Sequence, residues 1–255
     1  MGLEVRTPEF LKRDSALKEM ASLEPDVGVV VAYGKLIPKD MLEVPTKGFL
    51  NLHPSLLPKY RGPSPIPAAI LNGDEVTGVT VMVLDEGLDR GPILAQEEEP
   101  IEATDTGETL GERLAVRGAA LMRGTVERWL ADEVAPQPQE NEAATLTNLV
   151  DREDGRIDWG QSAAEIWRQV RAFQPWPGSF TFWRGSRIEI LEAVPTGTTG
   201  AKPGTVTEDK QQAVVVATGR GALAVAVLRP EGKRAMAAKA FVAGRKDFVG
   251  SRLPS

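Results

Sequence analysis

The sequence predicts an α/β domain followed by a smaller β-rich domain, and three observations carry that prediction. In the first half, helical patterns alternate with short β-branched runs, which is the order of α/β architecture. In the C-terminal part, short β-type runs recur between turn residues at fairly regular intervals, as in a small β-barrel of the OB kind. Between the two, after Val134, the stretch Ala-Pro-Gln-Pro-Gln-Glu-Asn-Glu is polar, carries prolines and has little to pack, so it reads as a linker. The domains are therefore drawn at residues 1–133 and 154–255, with 134–153 as the linker.

Each element has its own warrant. Thr7-Pro8-Glu9 has the form of an N-cap, a first-turn proline and an early acid, and Leu11, Ala16, Leu17 and Met20 continue at helical spacing, predicting a helix over 8–22. Residues 27–32 (Val-Gly-Val-Val-Val-Ala) suit a strand buried on both faces, ended by Tyr33-Gly34. A short helix over 38–42 and a strand over 49–53 follow. Residues 66–71 form a helix closed by Asn72-Gly73, 76–84 a long strand, and 93–96 another, with Glu97-Glu98-Glu99 as its solvated end. From 105 or 106 to about 132, Leu110, Leu114, Leu121, Met122, Val126, Trp129 and Leu130 mark one helical face. Beyond the linker come a helix over 163–173 and strands over 179–183, 186–191, 204–206, 213–217 and 222–228.

Composition excludes several functions. The chain contains no cysteine, which removes disulfides, thiolate metal sites and thiol nucleophiles and suits a reducing cytoplasm. No apolar run approaches the roughly 18 residues a membrane-spanning helix needs, so a soluble protein with no membrane partner is expected. With one histidine and no cysteine, a metal centre has few ligands to draw on. The net charge of -6 argues against a generally basic nucleic-acid binder. The tail is different: from Arg229 onward, Arg229, Lys233, Arg234, Lys239, Arg245, Lys246 and Arg252 stand against Glu231 and Asp247.

The single histidine, His53, focuses the search for chemistry, because imidazole is the side chain that titrates nearest neutrality. Residues i and i+2 of a strand project from one face, so Asn51 and His53 converge at a strand's carboxyl end, where open α/β sheets bind ligands. Pro54, Pro58, Pro63 and Pro65 stiffen the loop that follows. An amide and an imidazolium can both donate to a developing oxyanion. The bland alternative is a strand end with an exposed ring. The loop Asp85-Glu86-Gly87-Leu88-Asp89-Arg90-Gly91 supplies two carboxylates, either of which could orient the imidazole, and spacing alone leaves that choice open. The aromatic group Trp167, Phe173, Trp176, Phe180, Phe182 and Trp183 could stack bases but more often makes a small barrel's core.

Asn51-Leu-His53-Pro-Ser55-Leu-Leu-Pro58, then Arg61-Gly62, then Asp85-Glu-Gly-Leu-Asp89-Arg-Gly91, resembles the folate-dependent formyltransferases, two motifs in their family order and separation. Arg171-Ala-Phe173-Gln-Pro-Trp-Pro177 and Arg229-Pro-Glu-Gly-Lys-Arg-Ala-Met236 are similar to the C-terminal domain of methionyl-tRNA formyltransferases. The resemblance runs from about residue 3 to the end. It implies a Rossmann-like formyltransferase domain, incomplete at its N-terminus for want of a first βαβ unit, followed by an OB-like tRNA-binding domain. An upstream extension is accordingly expected to raise stability and activity.

The implied reaction moves formyl from 10-formyltetrahydrofolate, a cosubstrate, to the α-amino group of methionyl-initiator tRNA, with no metal. By motif position the implied catalytic residues are Asn51 and His53, binding the oxyanion, and Asp89, orienting His53 and helping to move the amine's proton. Ser55, Leu56, Leu57 and Pro58 would line the folate site, with the backbone of 33–37 and 84–89 completing the pterin pocket. A cytoplasmic monomer is expected. The alternatives are a formyltransferase for a nucleotide-sugar amine and a catalytically weak tRNA-binding protein.

Overall fold

A computed structural model gives the fold, describing residues 2, 4–11, 14–198, 200–209 and 214–255. The chain divides into two units, one from Met1–Pro65, Val76–Pro100 and Glu112–Asn148, the other from Ile66–Glu75, Ile101–Gly111 and Leu149–Ser255. The first helix, α1 (Asp14–Ala21), begins later than Thr7-Pro8 suggests, and residues 7–10 are not helical. Ala16 is its buried residue. Short helices depend on packing an apolar face, and this one has little to extend from.

β1 (Gly28–Val31) pairs in parallel with β2 (Phe49–His53), and α2 (Lys39–Leu42), with Pro38 at its N-cap, lies between them in sequence. The expectation that β1 is buried on both faces is not met: Val29 and Val31 are 48% and 55% exposed. The exposed side chains alternate along the strand, which marks one face of β1 as uncovered, and β1 is also an edge of a four-stranded sheet ordered β1-β2-β3-β4. After α3 (Pro65–Asn72), ended by Gly73 at φ +73°, β3 (Val76–Val83) and β4 (Ile93–Pro100) complete that sheet as an antiparallel pair. β2 and β3 are also antiparallel, so the sheet is mixed.

β4 continues past Gln96, and its end is not simply solvated. Glu99 is buried, its carboxylate accepting from Arg113 Nε at 2.9 Å and Arg117 Nε at 2.6 Å, both on α4 (Gly107–Leu130). The spacing of acidic and basic residues does not reveal that clamp. Leu50, Val81, Leu94 and Met122 form the core of the first unit, with Leu52, Leu121, Val126 and Trp129 packed around them. Gly118 of α4 lies against Leu52, where an added Cβ would stand 2.6 Å from Leu52 Cδ2. Leu50 and Leu52 therefore face the helix, and the alternation of the strand turns Asn51 and His53 to the other face.

The stretch read as a linker is not loosely packed over its first part. Gln137 exchanges both backbone hydrogen bonds with Ile93, at 2.8 Å each, and residues 139–147 bond to the loop after β2. Polar side chains are what make this possible, because that loop offers buried polar partners rather than apolar surface.

The second unit is the small antiparallel β-domain expected. α5 (Ala163–Ala172) starts with a capping box between Ser162 and Glu165. β5 (Ser179–Trp183), β6 (Ser186–Thr196), β7 (Val206–Glu208), β8 (Val214–Ala217) and β9 (Ala222–Pro230) pair in the order β5-β6-β9-β8-β7, and β10 (Met236–Ala237) pairs with β9. β6 and β9 run longer than predicted, and β7 starts later. Ala213, predicted to open a strand, lies outside the described residues. The short helix α6 (Ala238–Ala243) has no counterpart among the predicted elements. Trp159, Ile166, Ile188, Leu223 and Phe241 are fully buried in this unit's core. Phe173 and Phe180 are buried as the core reading of the aromatics requires, whereas Trp176 is 57% exposed. Among the described residues no helix is long and apolar enough to cross a membrane.

Candidate active site

The period of two along β2 brings the two predicted donors together. Asn51 and His53 are both buried, opposite Met82 and Thr80 of β3. Among the described residues the Asn51 amide has no hydrogen-bond partner, so both its donor hydrogens are available to a ligand. His53 is committed on one side: Nε2 lies 2.9 Å from the Tyr60 carbonyl oxygen. A carbonyl can only accept, so Nε2 carries the hydrogen and a neutral ring presents Nδ1 as an acceptor.

Nδ1 faces Asp89, whose Oδ2 is 3.7 Å away. That is too long for a hydrogen bond and short enough for strong attraction once the ring is protonated. Burial lowers the His53 pKa below its ordinary value, and the Asp89 carboxylate and the Tyr60 carbonyl pull in the opposite direction without overcoming it. At neutral pH the ring is therefore uncharged, a base whose conjugate acid has a carboxylate waiting beside it.

The two carboxylates of this loop lie in different places. Asp85 accepts from the Gly87 amide at 2.7 Å and from Arg90 Nε at 3.1 Å, within its own loop. Asp89 instead turns toward the imidazole from a backbone with φ +47°, and its Oδ2 accepts the Gly62 N–H at 2.8 Å. Two glycines make this approach possible. Gly62 has φ +110°, and a Cβ there would stand 2.6 Å from the Thr147 carbonyl oxygen. A Cβ on Gly91 would run into the Val83 carbonyl oxygen.

The segment Ser55 to Pro58 is a fixed turn. Ser55 Oγ donates to the Lys59 carbonyl at 2.6 Å, the Leu57 N–H donates to Thr80 Oγ1 at 3.1 Å, and Thr80 Oγ1 donates to the Ser55 carbonyl at 2.6 Å. Gln96 Nε2 donates to the Leu57 carbonyl at 2.8 Å. Ser55 and Leu57 are buried, and Leu56 and Pro58 are half-buried. Sequence reasoning missed Tyr60, Thr80, Gln96, Gln139 and Thr145, each of which holds a neighbour in place by hydrogen bonds. No motif marks such residues; only the folded path of the chain does. Among the described residues no group of acidic or histidine side chains could hold a metal ion.

Known proteins match this chain over nearly its whole length. Residues 4–126 match the family model described as formyl transferase, and residues 149–246 match the formyl transferase C-terminal domain. The chain is 44% identical over 255 residues to the methionyl-tRNA formyltransferase of Roseiflexus sp. (strain RS-1), covering 99% of this chain and 78% of that one. To a methionyl-tRNA formyltransferase of Thermus thermophilus it is 44% identical over 252 residues, covering 99% and 81%. Two solved structures share the fold. HypX from Aquifex aeolicus in complex with tetrahydrofolic acid superposes with a TM-score of 0.66 at 22% identity, over 89% of this chain and 40% of that one. WlaRD, a sugar 3N-formyl transferase, gives 0.64 at 19%, over 84% and 77%.

Proposed function

The chain belongs to the methionyl-tRNA formyltransferase family, and from that membership we propose that it transfers formyl from 10-formyltetrahydrofolate to the α-amino group of methionyl-initiator tRNA. The observation that carries the reading is the buried pairing of a neutral His53 with Asp89, beside an unengaged Asn51 amide. Attack of the amine on the formyl carbon forms a C–N bond and places negative charge on the formyl oxygen. The Asn51 amide is free to donate to that oxyanion.

The amine becomes acidic as it attacks, and Nδ1 of His53 is the acceptor facing the reaction. The resulting imidazolium is supported by the Asp89 carboxylate on one side and the Tyr60 carbonyl on the other. Its Nδ1–H can then add to the oxyanion's stabilisation before the proton passes to N10 of the folate, whose bond to the formyl carbon breaks. Overall the amine loses one proton and gains formyl, and N10 does the reverse. The turn from Ser55 to Pro58 would form part of the folate wall by its shape, since Ser55 Oγ is already bonded inward. Lys233, Arg234, Lys239, Lys246 and Arg252 are exposed in the C-terminal unit and offer cations to tRNA phosphates.

The test supplies 10-formyltetrahydrofolate with methionyl-initiator tRNA or with a nucleotide-sugar amine and measures the formylated product. Formyl-methionine on the tRNA, lost in His53→Ala, is the expected result. Formylation of the sugar amine alone would replace this reading with the alternative acceptor, and tRNA binding without turnover would replace it with a non-catalytic role.

A further inference from the structure

Between the two matched family regions lies a strap, residues 137–147, that touches both partners of His53. Thr145 Oγ1 accepts the Tyr60 N–H at 2.7 Å, and Tyr60 in turn holds the imidazole. The other connection is through Gln139. Its Oε1 accepts from Arg61 Nε at 3.0 Å and from Arg61 Nη2 at 2.8 Å. Its Nε2 donates to the carbonyl oxygens of Asp89, at 2.9 Å, and Gly91, at 2.7 Å. A guanidinium only donates and a carbonyl only accepts, so the orientation of this amide is forced and all four of its bonding positions are used.

We propose that Gln139 is a positioning residue for formyl transfer, setting the place of Asp89 relative to His53 by clamping the loop over 85–91 to the loop that carries Arg61 and Gly62. The proposal rests on the reading that Asp89 supports His53 during the reaction. Such a clamp adds to what holds Asp89 at φ +47°, a region less favourable for a residue with a side chain than the right-handed one, although aspartate tolerates it better than most. Gln139 bonds the carbonyl of that same residue, and the Gly62 amide bonds its carboxylate. The side chain thus acts on the site without reaching the reacting atoms.

The experiment is a double-mutant cycle in formyl transfer to methionyl-initiator tRNA, comparing wild type, Gln139→Glu, Asp89→Asn and the double variant. Glutamate keeps the length of the side chain and its acceptance from Arg61, but turns an oxygen toward the two carbonyls. The expected result is a fall in kcat of about 10- to 100-fold for Gln139→Glu with each KM within about threefold. In the Asp89→Asn background the same change should cost less than about threefold. The titration midpoint of His53, read from its ring C2–H resonance, should move down in Gln139→Asn, which adds no charge, as it does in Asp89→Asn. Gln139→Asn, which keeps the amide and shortens its reach, repeats the cycle should the glutamate variant fail to fold. Equal losses in both backgrounds, or a lower kcat in Gln139→Asn with an unmoved His53 midpoint, would make Gln139 a merely structural residue. If Asp89→Asn itself keeps kcat within about fivefold of wild type, the underlying role of Asp89 is wrong, and the clamp falls with it.

Discussion

Replacing Arg61 with methionine should unsettle the candidate site through the loop that carries it. Arg61 is 7% exposed and donates three hydrogen bonds to amide oxygens, two to Gln139 and one to Asn141 at 2.9 Å. Hydrogen bonds from a charged donor contribute ~1.5–3 kcal/mol each, and an acceptor left unpaired in the interior costs ~1–3 kcal/mol. Against this, the variant no longer buries a guanidinium that has no carboxylate within ion-pair distance among the described residues, which returns several kcal/mol of desolvation. The balance is a loss of ~3 kcal/mol. In a chain of this size that corresponds to a fall in Tm of roughly 6–12 °C, measured by circular dichroism and checked by the urea midpoint. Arg61→Lys should recover only part of it, because an ammonium cannot present the planar fork that meets Gln139 and Asn141 together. A Tm within about 2 °C of wild type, with kcat within about twofold, would show that Arg61 does not hold this loop.

Five further outcomes can be measured. His53 is the only histidine, so its C2–H resonance is assignable without further labelling; its midpoint should lie below 6.5, and Asp89→Asn should lower it again by removing the carboxylate's support. Because the folded-state pKa is depressed, the unfolded chain takes up this proton first; the stability present above about pH 6.5 should fall as pH drops through the folded-state pKa, and His53→Asn should flatten that part of the profile. For Glu99, Arg113 foremost and Arg117 hold the carboxyl below its usual range, so the stabilisation present above about pH 4.5 should vanish as pH falls through the folded value, and Glu99→Gln should blunt this acid limb in a pH series of urea melts. Gly91→Ala must push a methyl against the Val83 carbonyl, and a cost of ~2 kcal/mol with at least a tenfold lower kcat is expected from displacement of the Asp89 loop. Initiator-tRNA affinity should fall steeply with added salt, and Lys233→Ala with Arg234→Ala should reduce the slope of log K against log salt.

The legible parts of the chain are those where a local period decides the outcome. The alternation through Asn51 and His53 requires only that 49–53 be a strand, and the apolar face of α4 is repeated over enough turns to be unambiguous. What is not legible depends on partners distant in sequence. Val29 and Val31 have the composition of a strand covered on both faces, but burial is set by neighbours, and one face of β1 is uncovered. Asp85 and Asp89 are chemically equivalent on paper; the backbone at φ +47° and the Gly62 amide separate them. Gln139 reads as solvated linker because its four hydrogen bonds go to Arg61, Asp89 and Gly91, about fifty to eighty residues away.

If His53 works with Asp89 in transferring formyl, the single-turnover rate of formyl-methionine formation on initiator tRNA, at saturating 10-formyltetrahydrofolate, must separate wild type from Asp89→Asn. A rate at least about 100-fold lower in Asp89→Asn, with tRNA affinity unchanged within about threefold, is the predicted result. A rate within about fivefold of wild type would contradict the account.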